Sequence, residues 1–367
     1  MKILQKSELK AWKKAKKLGP KKTIQLLKKQ GLTGRGGACF LTGLKWELVK
    51  NAKGNKFIIC NADEGEPGTF KDKLLLEKNP ENIIEGILIA AYCINTKQAY
   101  IYLRGEYNYL KDSLKKTIEE TLTASRSSLK IDIIQGAGAY ICGDETAIIA
   151  SIENKRGYPH FKPPYPPQKG LFGKPTVINN VETLANVPLA IINKDWNDSL
   201  RLFSISGNVS KPRVYEIKVG TKLGKIALLA KAKNIKAVCF GASGGCIPYN
   251  SNSIINAEHI CKEEAMLGAC SLIFINKKKS MLDLAINIAQ FFNHESCGKC
   301  TPCREGNTHI LKLLEKIKSG KAKQEDIELL EKLSITIRDT ALCGLGQSCT
   351  NHILTALNHF KKDFKVR

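Results

Sequence analysis

The chain has 367 residues, of which 43% are hydrophobic and 25% charged, and its 58 Lys and Arg against 34 Asp and Glu leave a net charge of +24. That length allows two or three domains with ample core, and no apolar run is long and unbroken enough to span a bilayer, which argues against direct membrane insertion. The excess charge is mostly lysine dispersed along the chain, with no aromatic-rich RNA motif or zinc-finger pattern, so it reads as a solvated surface or a docking face for an acidic partner subunit and argues against nucleic-acid binding.

The first 30 residues are lysine-rich with apolar residues at helical spacing, Leu18, Ile24 and Leu27 among them, and read as a helix of the fold rather than a targeting segment. Residues 31–45 form a glycine-rich loop. Residues 56–61 read as a strand ending in the acidic turn Asp63-Glu64-Gly65-Glu66-Pro67. A helix over 82–94, a strand over 99–104, a helix over 109–124 and a strand over 131–134 follow. Such alternation predicts an α/β sheet. Residues 159–188 are proline-rich and read as loop. From 201 to 275 the pattern changes to short strands, at 203–207, 214–219 and 237–240. From Met281 onward it is helical, with a pair of helices around 308–338.

Cys297, Cys300 and Cys303 stand at strict three-residue spacing, and Cys343 follows forty residues later. Three thiolates so spaced converge on one side of a tight loop, and a fourth from a distant helix end closes the shell. That suits Cys₄ ligation of a [4Fe–4S] cluster. Structural zinc sites favour paired C-x₂-C knuckles, so zinc is the weaker alternative, and inert thiols are the weakest. Thirteen cysteines is an odd count and no secretory signal precedes them, so no disulfide framework is expected and a reducing compartment is.

Gly34, Gly36 and Gly37 let backbone N–H groups approach an anion, and Arg35 and Lys45 add charge, while the same residues suit a plain turn about as well. The loop is not a Rossmann fingerprint, because Cys39 occupies the sixth position and the preceding segment is helical. Asp63, Glu64 and Glu66 suit hydrogen bonding to a flavin or to ribose hydroxyls, or form a solvated acidic turn. Tyr140 stands beside a second acidic pair, Asp144 and Glu145.

Taken in order, Gly-Arg-Gly-Gly-Ala, Cys-Asn-Ala-Asp-Glu-Gly-Glu-Pro-Gly, Gly-Asp-Glu-Thr-Ala, Lys-Pro-Thr-Val-Ile-Asn-Asn-Val-Glu-Thr-Leu and Glu-Ser-Cys-Gly-Lys-Cys-Thr-Pro-Cys resemble the NADH-binding flavoprotein subunit of respiratory complex I. Diaphorase subunits of NAD-linked hydrogenases and formate dehydrogenases share that core. The resemblance implies an FMN- and NADH-binding α/β domain over 1–200, a ubiquitin-like β-grasp domain over 201–275 and a helical [4Fe–4S] domain over 276–367. It places Gly34, Arg35, Gly36, Lys45, Asn61, Asp63, Glu64, Tyr140, Gly143, Asn179, Asn180 and Thr183 around FMN. It sets Phe40, Glu66, Glu145 and Lys162 towards NADH, and Cys297, Cys300, Cys303 and Cys343 on the cluster.

The implied activity is NADH dehydrogenation: hydride transfer to FMN, then single-electron transfer through the cluster to partner subunits. No side chain is needed as a catalytic acid or base. The implied partners are a [2Fe–2S] thioredoxin-like subunit and a larger iron–sulfur subunit. The implied location is the cytoplasm, at the cytoplasmic face of the inner membrane within a complex, or an organelle matrix equivalent. The alternative within the family is the diaphorase of a soluble, possibly bifurcating, hydrogenase or formate dehydrogenase. The alternative outside it is a non-catalytic iron–sulfur scaffold, against which the intact flavin and nucleotide motifs argue.

Departures from the family pattern are Cys39 for glycine, Leu41 for proline, Leu48 for an aromatic and Asp144 for glutamate. The stretches 241–248 and 343–347 look like the hydrogenase and formate-dehydrogenase branch. That branch carries an N-terminal [2Fe–2S] domain and a C-terminal ferredoxin domain, and neither is recognisable, so the chain reads as the bare catalytic core.

Overall fold

Strand β1, Phe57–Ala62, is fed by the run Phe-Ile-Ile-Cys, whose apolar, partly β-branched side chains suit a strand covered on both faces. In the computed structural model, which describes residues 1–365, it pairs in parallel with β2, Gln98–Leu103, and with β4, Thr176–Asn180. Strand β3, Lys130–Gln135, completes a four-stranded parallel sheet in the order β3-β2-β1-β4. The register sets Asn61 of β1 beside Asn180 of β4, so two polar side chains leave the same end of the sheet. These elements belong to one unit made of Met1–Gly65, Phe70–Gly157 and Phe161–Arg201.

Helices Pro80–Ile94 and Val181–Ile192 are buried almost all round and pack on each other. Gly86 permits this: a Cβ there would lie 2.2 Å from the carbonyl oxygen of Leu184. Strand β4 and the start of helix Val181–Ile192 fall inside the stretch read as loop. The prolines concealed a β-branched Thr-Val-Ile run whose partner, β1, lies over a hundred residues away, and Asn180 caps the helix by accepting from Glu182 N. The N-terminal helix is broken at Gly19-Pro20 into Lys10–Leu18 and Pro20–Gln30.

The second unit comprises Glu66–Thr69, Tyr158–His160 and the chain from Leu202 onward. Its mixed sheet runs β6-β5-β9-β7-β8, with β5 at Leu200–Gly207, β6 at Arg213–Lys218, β7 at Ile235–Cys239, β8 at Cys246–Pro248 and β9 at Ser271–Asn276. Phe203, Phe240, Leu272 and Phe274 form its core with helix Leu223–Ala230. The C-terminal helices Met281–Glu295, Thr301–Lys318, Gln324–Thr340 and Asn351–His359 pack in succession, and the last of them meets β8. The architecture is thus a parallel α/β unit, a small mixed sheet and a helical C-terminal region. No helix among the described residues is long and apolar enough to cross a membrane.

No disulfide framework is present among the described residues, but one pair is: Cys239 and Cys246 face each other across the antiparallel β7–β8 pair and form a disulfide, and the other eleven cysteines form none. An odd count rules out complete pairing, but it leaves room for one pair placed by strand register.

Candidate flavin, nucleotide and cluster sites

The glycine loop is closed by Gly34 N donating to Phe40 O at 2.8 Å. Arg35 N donates to Thr183 Oγ1 at 2.9 Å, joining the loop to helix Val181–Ile192. Gly36 faces Asn180, whose Cβ would lie 3.4 Å from a Cβ at Gly36. Cys39 adopts a left-handed φ of 51°, a conformation glycine takes at less cost.

The Arg35 guanidinium is 1% exposed and lies 2.9 Å from Asp198. Its Nε and Nη1 have no hydrogen-bond partner among the described residues. A buried cation with unspent donors beside an exposed-backbone loop fits a phosphate ester. Asp198 also accepts from Thr33 N at 3.1 Å, from Thr33 Oγ1 at 2.6 Å and from Arg201 at 2.7 Å. The loop is therefore braced by two residues that lie outside every motif.

Lys45 donates to Ile178 O at 3.1 Å and lies 4.0 Å from Glu145. Burial pushes its ammonium pKa down, and Glu145 opposes the shift. Lys162 pairs with Glu145 at 2.8 Å and lies 3.8 Å from Asp144. Asp144 accepts from Thr146 N and Ala147 N and caps helix Glu145–Ile152, which explains the shorter acid where glutamate is usual. Phe40 is 44% exposed, with Lys45 Nζ 5.9 Å from its ring centre.

Asn61 donates to Gly143 O at 2.9 Å and accepts from Asp63 N at 3.1 Å, tying the acidic turn to the Tyr140–Gly143 turn. Tyr140 covers Gly65, where a Cβ would lie 2.9 Å from the ring. Asn179 accepts from the buried indole of Trp46 at 2.8 Å. Asn180 donates to Asp72 at 2.5 Å. Glu64 accepts from Asp72 N, Lys73 N and Tyr107 OH, and its carboxyl is pushed up to about 7 by burial, then by Asp72, with Lys71 opposing. Lys71, fully buried, bridges Asp72 at 2.8 Å and Glu182 at 3.0 Å.

Glu66 belongs to the second unit. One of its carboxylate oxygens accepts from Ala242 N and Ser243 N, both at 2.8 Å, and from Ser243 Oγ at 3.0 Å. The loop over 241–245 thereby grips the side chain that the sequence points towards nucleotide.

In the same unit, Cys300 precedes helix Thr301–Lys318, Cys303 sits in its first turn, and Cys297 lies in the loop before it. Cys343 precedes the short helix Gly344–Ser348. Gly346 lets that helix approach: a Cβ there would lie 2.5 Å from Ala341 Cβ and 3.4 Å from Cys303 Cβ. Helix N-termini favour thiolates. Cys303 is lowered to about 7, first by the neighbouring Cys349 thiol, against burial and with help from Ser296 and Asn307. Burial raises Cys297. No three His, Cys, Asp or Glu side chains among the described residues converge as one metal ion requires. The donor set, three thiols from one loop and the helix turn that follows it and a fourth from the start of a short helix, has the chemistry of a Cys₄ iron–sulfur site.

Two family models match the chain. The Nuo51 FMN-binding domain covers residues 27–189, and the NADH-ubiquinone oxidoreductase-F iron–sulfur binding region covers 283–367. The protein is thus an NADH-oxidising subunit with FMN and a [4Fe–4S] cluster as cofactors. The F subunit of the NADH-quinone oxidoreductase of Aquifex aeolicus is 40% identical over 97% of this chain and 88% of its own length. The NAD-reducing hydrogenase HoxS subunit alpha of Cupriavidus necator is also 40% identical, over 95% of this chain but 61% of its own. A solved NAD+-reducing [NiFe]-hydrogenase in the H2-reduced state superimposes with a TM-score of 0.91 at 36% identity, covering 98% of this chain and 65% of that one. The chain belongs to the family of NADH-quinone oxidoreductase F subunits, whose members also include hydrogenase diaphorase subunits and work within multi-subunit complexes.

Proposed function

We propose that this chain is the NADH-oxidising entry subunit of a quinone-reducing complex, with Arg35 and Lys45 as the cationic seat of the FMN phosphate. When bound, FMN supplies hydride acceptance from NADH and the cluster supplies one-electron carriage. The residues of the chain position and tune these groups. Gly34 and Gly36 keep the loop backbone open, and Thr183 fixes it through Arg35 N. Asn61, Asp63, Glu64, Tyr140, Gly143, Asn179 and Asn180 shape the flavin seat. Phe40, Glu66, Glu145 and Lys162 serve the nucleotide, and Cys297, Cys300, Cys303 and Cys343 hold the cluster.

The observation that carries this reading is the buried Arg35 guanidinium with two unspent donors. Charge-assisted hydrogen bonds contribute about 1.5–3 kcal/mol, or roughly 10- to 100-fold in affinity. Arg35→Leu apoprotein should therefore bind FMN that much more weakly, measured by quenching of flavin fluorescence, and bind riboflavin nearly as well as before. Equal losses for both flavins would remove Arg35 from the phosphate.

The identity to the hydrogenase subunit, also 40%, favours a second reading, a hydrogenase diaphorase. Co-purification decides between them. A [2Fe–2S] thioredoxin-like subunit with a larger iron–sulfur subunit and quinone-reducing partners supports the first, and a hydrogenase subunit supports the second. In the first reading the chain sits at the cytoplasmic face of the inner membrane.

A further inference from the structure

The cysteine centre carries more hydrogen-bond donors than ligation requires. Cys303 is 5% exposed and Asn307, one turn further along the same helix, is 1% exposed. The i,i+4 spacing puts both on one face. Asparagine is a poor helix former, and a buried amide must find partners. Asn307 finds both donor partners on one residue: Nδ2 donates to Cys303 O at 2.8 Å and to Cys303 Sγ at 3.3 Å. Ser296 Oγ lies 3.3 Å from the same sulfur. Cys349, buried at the end of helix Gly344–Ser348, donates its S–H to Gly346 O at 3.2 Å and takes no part in this arrangement.

A cluster gains one negative charge when it accepts an electron, and part of that charge resides on its sulfur ligands. Donors aimed at a ligating sulfur therefore favour the reduced form. We propose that Asn307 and Ser296 form a hydrogen-bond clamp on the Cys303 sulfur that raises the reduction potential of the cluster. One electron enters, no bond breaks, and the clamping protons stay on their donors. The inference rests on Cys303 being a cluster ligand. The two clamping residues are positioning residues and bind no iron themselves.

The test is an EPR-monitored redox titration of the full, anaerobically purified holoprotein. Asn307→Leu keeps the volume and removes the donor, so the midpoint potential should shift to more negative values at unchanged iron and FMN content. Ser296→Ala should shift it the same way by less. Ser296→Thr, which keeps an O–H donor, should hold the wild-type value, a rescue that packing alone does not predict. Wild-type potentials in fully loaded Asn307→Leu and Ser296→Ala proteins would overturn the clamp. If Asn307→Leu fails to take up iron, the comparison of Ser296→Ala with Ser296→Thr decides, and equal potentials in that pair overturn the clamp. Cys303→Ser with an intact, unshifted [4Fe–4S] signal would instead overturn the ligand assignment on which the clamp rests.

Discussion

The proposed flavin seat and the cysteine centre are built on opposite principles. At the flavin seat almost every polar side chain is held by one far away in sequence: Arg35 by Thr183 and Asp198, Lys45 by Ile178, Trp46 by Asn179, Asn180 by Asp72. At the cysteine centre three of the four thiols come from seven consecutive residues, and both side-chain donors around Cys303, Ser296 and Asn307, lie within seven residues of it. A site made by tertiary pairing fails as a whole when one residue is changed. A site made by local spacing fails alone.

The sharpest test of that contrast pairs one variant from each region. Gly36→Val puts branched methyls against Asn180, already 3.4 Å from a Cβ. Flavin content and NADH:ferricyanide activity should fall to the detection limit, since close backbone approach to the phosphate is lost. Cys343→Ser should lose the cluster EPR signal and electron delivery to the partner, and keep much of the ferricyanide activity at matched flavin content. Full flavin and activity in Gly36→Val, or loss of flavin in Cys343→Ser, would erase the distinction.

A smaller effect should appear in the pH dependence of stability. Glu64 moves from 4.5 to about 7 on folding, chiefly through burial. The folded chain therefore holds a proton that the unfolded chain releases, and stability falls as pH rises from about 4.5 to about 7, then levels off. The loss is on the order of 3 kcal/mol for a shift of this size. Glu64→Gln should flatten the curve over that window in denaturant titrations. An unchanged slope would show that Glu64 is ionised in the folded state throughout.

The smallest effect concerns nucleotide choice. Glu145 should repel a 2′-phosphate, but its ion pair with Lys162 at 2.8 Å offsets part of the charge. Glu145→Gln should narrow the preference for NADH over NADPH by about tenfold, roughly 1.4 kcal/mol. Equal kcat/KM for the two nucleotides in the unmodified protein would remove Glu145 from that role.

This contrast also explains what could be read from the sequence. The cysteine triplet was legible because its geometry follows from spacing. The α/β alternation and helical C-terminal region followed from periodicity and from the family resemblance. Strand β4 was obscured by surrounding prolines, because its evidence is a partner strand far away in the chain. Asp198, Arg201 and Lys71 carry no motif; each acts through a contact that only the folded chain creates. The grip of the 241–245 loop on Glu66 was equally invisible, since backbone donors leave no mark on residue identity.

The buried Lys71 has a consequence for how this chain can be altered. Lysine is common in this protein, but Lys71 is locked between Asp72 and Glu182. Removing it strands two buried acids, whereas exchanging all three for apolar residues can be neutral. The lysine is therefore held in place by its neighbours: its loss alone is penalised, and it can be replaced only by a concerted change, beside Asn180 at the end of the parallel sheet.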